Sequence, residues 1–270
     1  MSAVGFPAAA AAAPHRSDTD LVRVYVWQWP VRLTHWVIAL SILILSVTGI
    51  YIGRPFLVVP GEARFHFVMG TMKVVHFYAA IAFGLAVLSR IAWMFLGNTY
   101  ARWDKFLPIA RRRRRGIVGT VKFYLFLMRK PPGFVGHNPL AGMAYALVFL
   151  LCFTMLGTGL AMYSVSARVG SPFRFFQFLV PLCGGLQTAH WIHHVVMWLI
   201  LGFAVHHVYS AIYMSQVEAN ATVESIFSGY KFVPPEDVVY SGYRFVSREE
   251  SAPDRTTRAA TSRKPGERHG

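Results

Sequence analysis

Histidine is the side chain whose positions in this sequence most directly suggest chemistry. The 270-residue chain contains 11 histidines, and seven of them fall within or at the ends of long apolar segments. These seven are His35, His76, His190, His193, His194, His206 and His207. A coordinating or ionisable side chain at membrane depth is costly to bury, so each is a candidate for metal coordination or another function. The alternative is that each imidazole is neutral and hydrogen-bonded to a neighbouring helix.

Helical spacing selects two of these histidines as a matched set. The early group at 190, 193 and 194 and the late pair at 206 and 207 lie on one apolar segment. Among their pairings only His193 and His207 nearly share a helix face, because their separation of 14 residues leaves them within about 40° and about 21 Å apart along the axis. Two sites stacked across a membrane need this spacing.

The elements that must position these histidines are membrane-spanning helices. The chain is 54% hydrophobic and 14% charged, with a mean hydropathy of +0.41. Four windows reach the length of about 20 apolar residues that a helical span needs, at 33–53, 74–96, 140–163 and 191–213, and none contains an acidic residue. The predicted fold is all-α, an integral membrane four-helix bundle forming one domain over residues 21–246. Residues 1–20 are predicted to be a disordered leader and residues 247–270 a disordered tail.

The positive charges are distributed unevenly between the loops, which predicts the orientation of the bundle. The formal net charge is +15. Basic residues concentrate before the first span, between the second and third, which includes the run Arg111–Arg115, and after the fourth. By the positive-inside rule, both termini and the middle loop are cytoplasmic. The basic run therefore indicates topology and contact with membrane lipids, and nucleic acid is not an expected partner.

This topology brings the histidines together in two pairs, one at each membrane face. His35 begins the first span and His207 ends the fourth at the cytoplasmic side, whereas His76 and His193 begin the second and fourth spans at the outer side. Two facing imidazoles are the ligands of a six-coordinate haem, which transfers electrons and leaves no open position for oxygen. No Cys-X-X-Cys-His motif for covalent attachment is present. The sequence therefore predicts two non-covalent b haems.

Smaller features fit the same cofactors. Thr48–Gly49 and Thr158–Gly159 lie toward the outer ends of their spans, where a missing side chain would let a flat porphyrin approach the backbone; close helix packing explains them equally well. Arg90 follows His76 by 14 residues, so it faces the same way near the cytoplasmic end. There it could pair with a haem propionate or extend to the membrane surface.

Two segments resemble the signatures of a known family. Arg32–Trp36 (RLTHW), with Thr48–Gly49 further along, resembles the first signature of the b-type cytochrome subunits of membrane-bound nickel-iron hydrogenases. The segment beginning His193-His194-Val195, with Trp198, Phe203 and His207, resembles the second. The likeness extends over residues 21–246.

The resemblance implies a multi-pass subunit of the bacterial inner membrane. Such a subunit anchors the small and large hydrogenase subunits at the periplasmic face and takes their electrons at the His76/His193 haem. The electrons reach the His35/His207 haem and reduce a quinone, the expected acceptor. Candidate quinone-binding residues, chosen by their expected depth, are Gln28, Arg32 and His206. The chain has no nickel or iron-sulfur ligand set, so it is not the subunit that activates hydrogen.

Two other functions remain open from the sequence. A dihaem cytochrome b subunit of a formate dehydrogenase or a similar reductase has the same broad architecture. A histidine-based metal or proton transporter is the alternative of a different class. That alternative is disfavoured because a transporter is expected to have interrupted helices near the midplane and a proton relay usually includes a membrane carboxylate.

Overall fold

Four long helices dominate the computed structural model, which describes residues 21–56, 67–103, 111–125, 127–128, 135, 139–218, 221–235 and 238. The long helices are α1 (Trp29–Gly53), α2 (Val68–Leu96), α4 (Pro139–Ser166) and α6 (Leu186–Glu218). Each is long and apolar enough to cross a membrane. The predicted leader and tail lie outside the described residues.

Shorter elements complete the described chain. A strand β1 (Val22–Tyr25) precedes α1, and a basic helix α3 (Arg111–Tyr124) lies between α2 and α4. A 3-10 helix (Pro172–Phe178) and the short α5 (Leu179–Leu182) connect α4 to α6, and α7 (Thr222–Ser228) leads into β2 (Tyr230–Val233). The described fold is therefore mostly helical, as the sequence predicts, with one small sheet that the expectation of an all-α chain did not include.

The long helices pack as two close pairs, α1 with α2 and α4 with α6. The pairs meet near the middle of the bundle, where Phe83 and Val87 of α2 pack against Cys152 of α4. The histidines described below lie on these helices at two levels, on either side of this contact: His76 and His193 near the starts of α2 and α6, and His35 and His207 near the start of α1 and within the later part of α6.

The bundle is apolar outside and partly polar inside, as expected for a protein whose solvent is lipid. Leu40, Leu85 and Leu150 are each about 60% exposed. Thr48, Thr158 and Ser164, by contrast, are buried. The four helices and this inverted pattern identify a multi-pass membrane protein.

The antiparallel sheet joins the two ends of the described chain at one end of the bundle, here called the sheet end. Val22 pairs with Val233, and Tyr25 pairs with Tyr230. Gly229 turns the chain from α7 into β2 with φ +89°, and a side chain there would collide with the Trp27 carbonyl oxygen. The Trp27 Nε1 donates to Ser225 Oγ at 3.1 Å. These contacts fix where α1 starts and where the chain after α6 returns.

Candidate functional site

His76 and His193 are each held by a Thr-Gly pair on the neighbouring helix of their own close pair. His76 Nδ1 lies 2.8 Å from the Thr48 Oγ1 of α1, and His193 Nδ1 lies 2.8 Å from the Thr158 Oγ1 of α4. The glycine that follows each threonine gives the imidazole room. A Cβ on Gly49 would lie 3.3 Å from His76 Cε1, and one on Gly159 would lie 3.5 Å from His193 Cε1. The same three-residue arrangement therefore occurs twice.

The threonine hydroxyl determines which imidazole nitrogen carries the proton. A hydroxyl has one hydrogen to donate, and Thr48 Oγ1 directs it to the Ile44 carbonyl at 2.8 Å. With that hydrogen on the carbonyl, the contact with His76 fits the tautomer in which Nδ1–H donates and Oγ1 accepts. Nε2 is left unprotonated, with its lone pair available to a metal ion.

The same hydrogen-bonding argument applies to His193 on the α4–α6 pair. Thr158 Oγ1 donates to the Thr154 carbonyl at 2.7 Å, so it accepts a hydrogen bond from His193 Nδ1–H. His76 and His193 lie far from the sheet end, near the start of α2 and the start of α6. The structure thus holds both histidines of this predicted pair in the same hydrogen-bonding arrangement, one on each helix pair.

The second predicted pair lies near the sheet end. His35 of α1 and His207 of α6 face each other with ring centroids 6.2 Å apart. Phe203 stacks on the His207 ring at 5.6 Å, and Trp36 meets the His35 ring edge-on at 5.2 Å. In the described part of the chain His35 Nδ1 is buried without a hydrogen-bond partner. An unsatisfied buried nitrogen is costly, so this pocket fits a group that the protein atoms alone do not supply.

The spacing of the inner rings fits a single metal ion between them. Metal–imidazole bonds of about 2.0–2.1 Å, with the ring centre about 1.1 Å further on, separate two opposed centroids by about 6 Å. The observed 6.2 Å agrees with this separation. A donor set of two neutral imidazoles suits iron, so His35 and His207 fit as the residues that would hold the iron of a haem.

Arg90 is buried within the bundle and does not extend to its surface. Its side chain is 2% exposed, and its Cζ lies 5.4 Å from the centre of the Tyr145 ring of α4. A buried guanidinium requires a counter-charge or polar partners. Its burial therefore disfavours the alternative in which the residue reaches into the membrane surface.

The three residues suggested for quinone binding occupy different environments. Gln28 Oε1 accepts from Trp93 Nε1 at 3.0 Å and from the Asn98 backbone N–H at 2.9 Å, which ties the start of α1 to the end of α2. Arg32 donates to the Phe227 carbonyl. His206 is exposed on α6. The structure does not bring these three side chains into one cluster.

Sequence reasoning missed what the two threonines do. It selected Thr48–Gly49 and Thr158–Gly159 as gaps for a flat cofactor, whereas their described contacts are with histidine rings. A Thr-Gly pair at matching depth on two helices, each with a histidine on the adjacent helix, is the signal that could have identified the role.

Comparison with known proteins identifies the family to which this chain belongs. The model of the family described as prokaryotic cytochrome b561 matches residues 26–229. A protein of Cupriavidus necator named "Probable Ni/Fe-hydrogenase B-type cytochrome subunit" is 39% identical over 218 residues, 80% of this chain and 89% of that protein. The Escherichia coli K12 protein named "Probable Ni/Fe-hydrogenase 1 B-type cytochrome subunit" is 36% identical over 220 residues, which are 80% of this chain and 93% of that protein. A Rhodobacter capsulatus protein named "Probable Ni/Fe-hydrogenase B-type cytochrome subunit" is 36% identical over 225 residues, which are 80% of this chain and 86% of that protein.

Proposed function

Because this chain belongs to the prokaryotic cytochrome b561 family, we propose that it anchors a periplasmic nickel-iron hydrogenase and passes its electrons through two b haems to the quinone pool. The family is one of b-type cytochromes, so haem b is its cofactor and membrane electron transfer its role. The names of the relatives support hydrogenase as the donor complex. The two matched depths of paired histidines support two haems.

The observation that carries this proposal is the matched hydrogen bonding of the outer histidines. Thr48 and Thr158 orient His76 and His193 from opposite helix pairs, and each leaves the ring's Nε2 able to bind iron. Histidines that bind a metal ion usually donate their other ring N–H to a neighbouring acceptor, and this arrangement occurs once on each helix pair. We assign His76 and His193 to the outer haem and His35 and His207 to the inner one.

The chain's own residues would hold and insulate the cofactors. Haem b supplies reversible one-electron chemistry at iron when bound. His35 with His207, and His76 with His193, would hold the iron and would leave it no open position for oxygen. Gly49 and Gly159 keep the outer rings close to the helix backbones, and Arg90 supplies a buried positive charge for a propionate. The helices separate the two depths by about 21 Å, the rise over the 14 residues from His193 to His207.

Charge orients this arrangement in the bacterial inner membrane. The sheet end contains the first and the last described strands of the chain, and α3 begins with the basic run Arg111–Arg115. The positive-inside rule assigns these segments to the cytoplasm. The His76/His193 site is then periplasmic, next to the hydrogenase small and large subunits, and the His35/His207 site is near the cytoplasmic leaflet.

Quinone reduction is assigned to the cytoplasmic side, with Gln28, Arg32 and His206 as the residues to test. His206 is adjacent in sequence to His207 and is exposed, so His206→Ala is the substitution with the least structural cost. We expect it to slow quinone reduction with the haem spectrum intact. A lost haem spectrum would contradict a role confined to quinone. Variants of Gln28 and Arg32 need a stability measurement beside the kinetic one, because both side chains hold the sheet end together.

Co-purification tests the assignment of the donor. The chain would be isolated from its native membrane under mild detergent, and the metals of the co-purifying proteins measured. A nickel-containing large subunit and hydrogen-dependent reduction of both haems are expected. A molybdenum-containing partner reduced by formate would identify the formate dehydrogenase alternative instead. Transport of a metal ion across vesicles without any bound haem would support the transporter.

A further inference from the structure

Two histidines outside the haem pairs form a third cluster at the outer end of α6. His190 and His194 are four residues apart, so they lie on one face of the helix. Their ring centroids are 4.7 Å apart and meet edge-on. Neither ring takes part in a hydrogen bond among the residues that the structure describes. The polar nitrogens of the pair are therefore not accounted for by hydrogen bonds within the described residues.

The ring spacing distinguishes this pair from the His35/His207 pair. Two imidazoles on adjacent corners of a tetrahedral ion, with metal–nitrogen bonds of about 2.0–2.1 Å, have centroids about 5 Å apart. The observed 4.7 Å is near that value, whereas 6.2 Å at His35 and His207 fits ligands on opposite sides of a metal. Histidines at i and i+4 of a helix are a recurrent zinc-binding arrangement.

One of the two rings is held against the first helix. A Cβ on Gly53, the last residue of α1, would lie 2.8 Å from His194 Cε1 and 3.2 Å from its Nε2. The ring thus occupies the space that a side chain at position 53 would fill. His190 is exposed beside it. His194 is thus positioned by packing against α1, and His190 is the exposed member of the pair.

We propose that His190 and His194 bind a late first-row divalent cation, with Zn²⁺ the best match to two imidazoles in a tetrahedral arrangement. No group of three or more His, Cys, Asp or Glu suited to a metal ion occurs within the described part of the chain. Two coordination positions are therefore left to water. A cation held by two protein ligands exchanges readily, unlike a structural zinc with four.

Such a cation would act on the neighbouring outer haem. His193, assigned above to that haem, lies between His190 and His194 in the chain. A nearby positive charge stabilises the reduced form of a redox centre, because reduction adds a negative charge. Zinc binding would therefore raise the reduction potential of the outer haem, and this consequence rests on the proposed function. The binding site itself does not.

Zinc titration of the full-length haem-loaded protein tests both statements. The protein would be purified without a polyhistidine tag, placed in lipid nanodiscs and titrated with ZnCl₂ in a calorimeter. We expect one exchangeable site per chain, and at least about tenfold weaker affinity in His190→Ala and in His194→Ala because each removes one of two ligands. His206→Ala, an exposed histidine distant from the pair, is the matched control and should bind zinc like the wild type.

Two results would overturn the proposal. Unchanged zinc affinity in both His190→Ala and His194→Ala, or an equal loss in His206→Ala, would contradict the site. Redox titration of the same samples tests the coupling: zinc should raise the potential of one haem in the wild type and leave it unchanged in His190→Ala. Zinc bound at the pair with no potential shift would contradict the coupling alone. Because calorimetry measures zinc binding and does not depend on haem, a wrong haem assignment can be told apart from a wrong zinc site.

Discussion

Replacing Thr48 by valine removes the hydroxyl oxygen that accepts the His76 Nδ1–H bond and keeps the shape of the side chain. The Thr48 Oγ1–His76 Nδ1 distance is 2.8 Å, and Thr48 is 4% exposed. Valine therefore leaves a buried ring N–H without its acceptor, which costs about 1–3 kcal/mol. That energy corresponds to about 5- to 150-fold. The ring is also free to adopt the other tautomer, in which Nε2 cannot bind iron.

We expect Thr48→Val to weaken retention of the outer haem by that factor and to leave the inner haem unchanged. The assay is haem quantified per chain during washing with apo-myoglobin as an acceptor, together with the reduced-minus-oxidised optical spectrum. Thr158→Val should have the same effect through His193. Thr48→Ser restores a hydroxyl and should recover most of the loss.

Thr154→Val is the matched control for this experiment. Thr154 Oγ1 donates to the Leu150 carbonyl at 2.9 Å, as Thr48 does to Ile44, but it has no bond to a histidine ring. It reports the cost of losing a threonine hydroxyl in a membrane helix. The claim that Thr48 orients an iron ligand would be refuted if Thr48→Val behaved like Thr154→Val, with the same haem spectrum and the same retention of both haems.

The glycines and the sheet end give two further predictions. Gly49→Ala should broaden or shift the outer haem spectrum, because its Cβ would lie 3.3 Å from the His76 ring. Gly159→Ala should change the spectrum very little, because its Cβ would lie 3.5 Å from the His193 ring, which is an ordinary contact distance. Equal effects of the two substitutions would contradict this geometry. Trp27→Phe removes the bond to Ser225 and should lower stability by about 1 kcal/mol, measured as a lower Tm, with both haem spectra unchanged.

The four spans were predictable because each is a long run of apolar residues, and the placement of His193 and His207 on one helix face follows from helical periodicity. A helix repeats every 3.6 residues, so the relation of His193 to His207 can be calculated before any fold is known. The choice of His35 and His76 as partners needed only the order and direction of the spans. The starts of the helices were harder to predict from the sequence. Helix α2 begins at Val68, whereas the predicted span begins at residue 74. Hydropathy reports residues in hydrocarbon, whereas the helix continues into the interface.

Contacts between distant parts of the chain were beyond sequence reasoning. The pairing of Val22–Tyr25 with Tyr230–Val233 joins segments about two hundred positions apart, and neither has a pattern that selects the other. The segment Ser-Gly-Tyr-Lys-Phe-Val at 228–233 nearly recurs as Ser-Gly-Tyr-Arg-Phe-Val at 241–246, and the first copy forms the turn and strand β2. The second copy, residues 241–246, lies outside the described residues. The Gln28 contacts likewise depend on where α2 ends.

Haem content of the purified protein, wild type and with His193→Ala or His207→Ala, tests the central claim most directly. The account predicts two b haems per wild-type chain. It predicts that His193→Ala removes or perturbs one of them and His207→Ala the other, as separated by their reduction potentials. A wild-type protein without haem, or a spectrum indifferent to both substitutions, would contradict the assignment of these histidines as ligands at two depths.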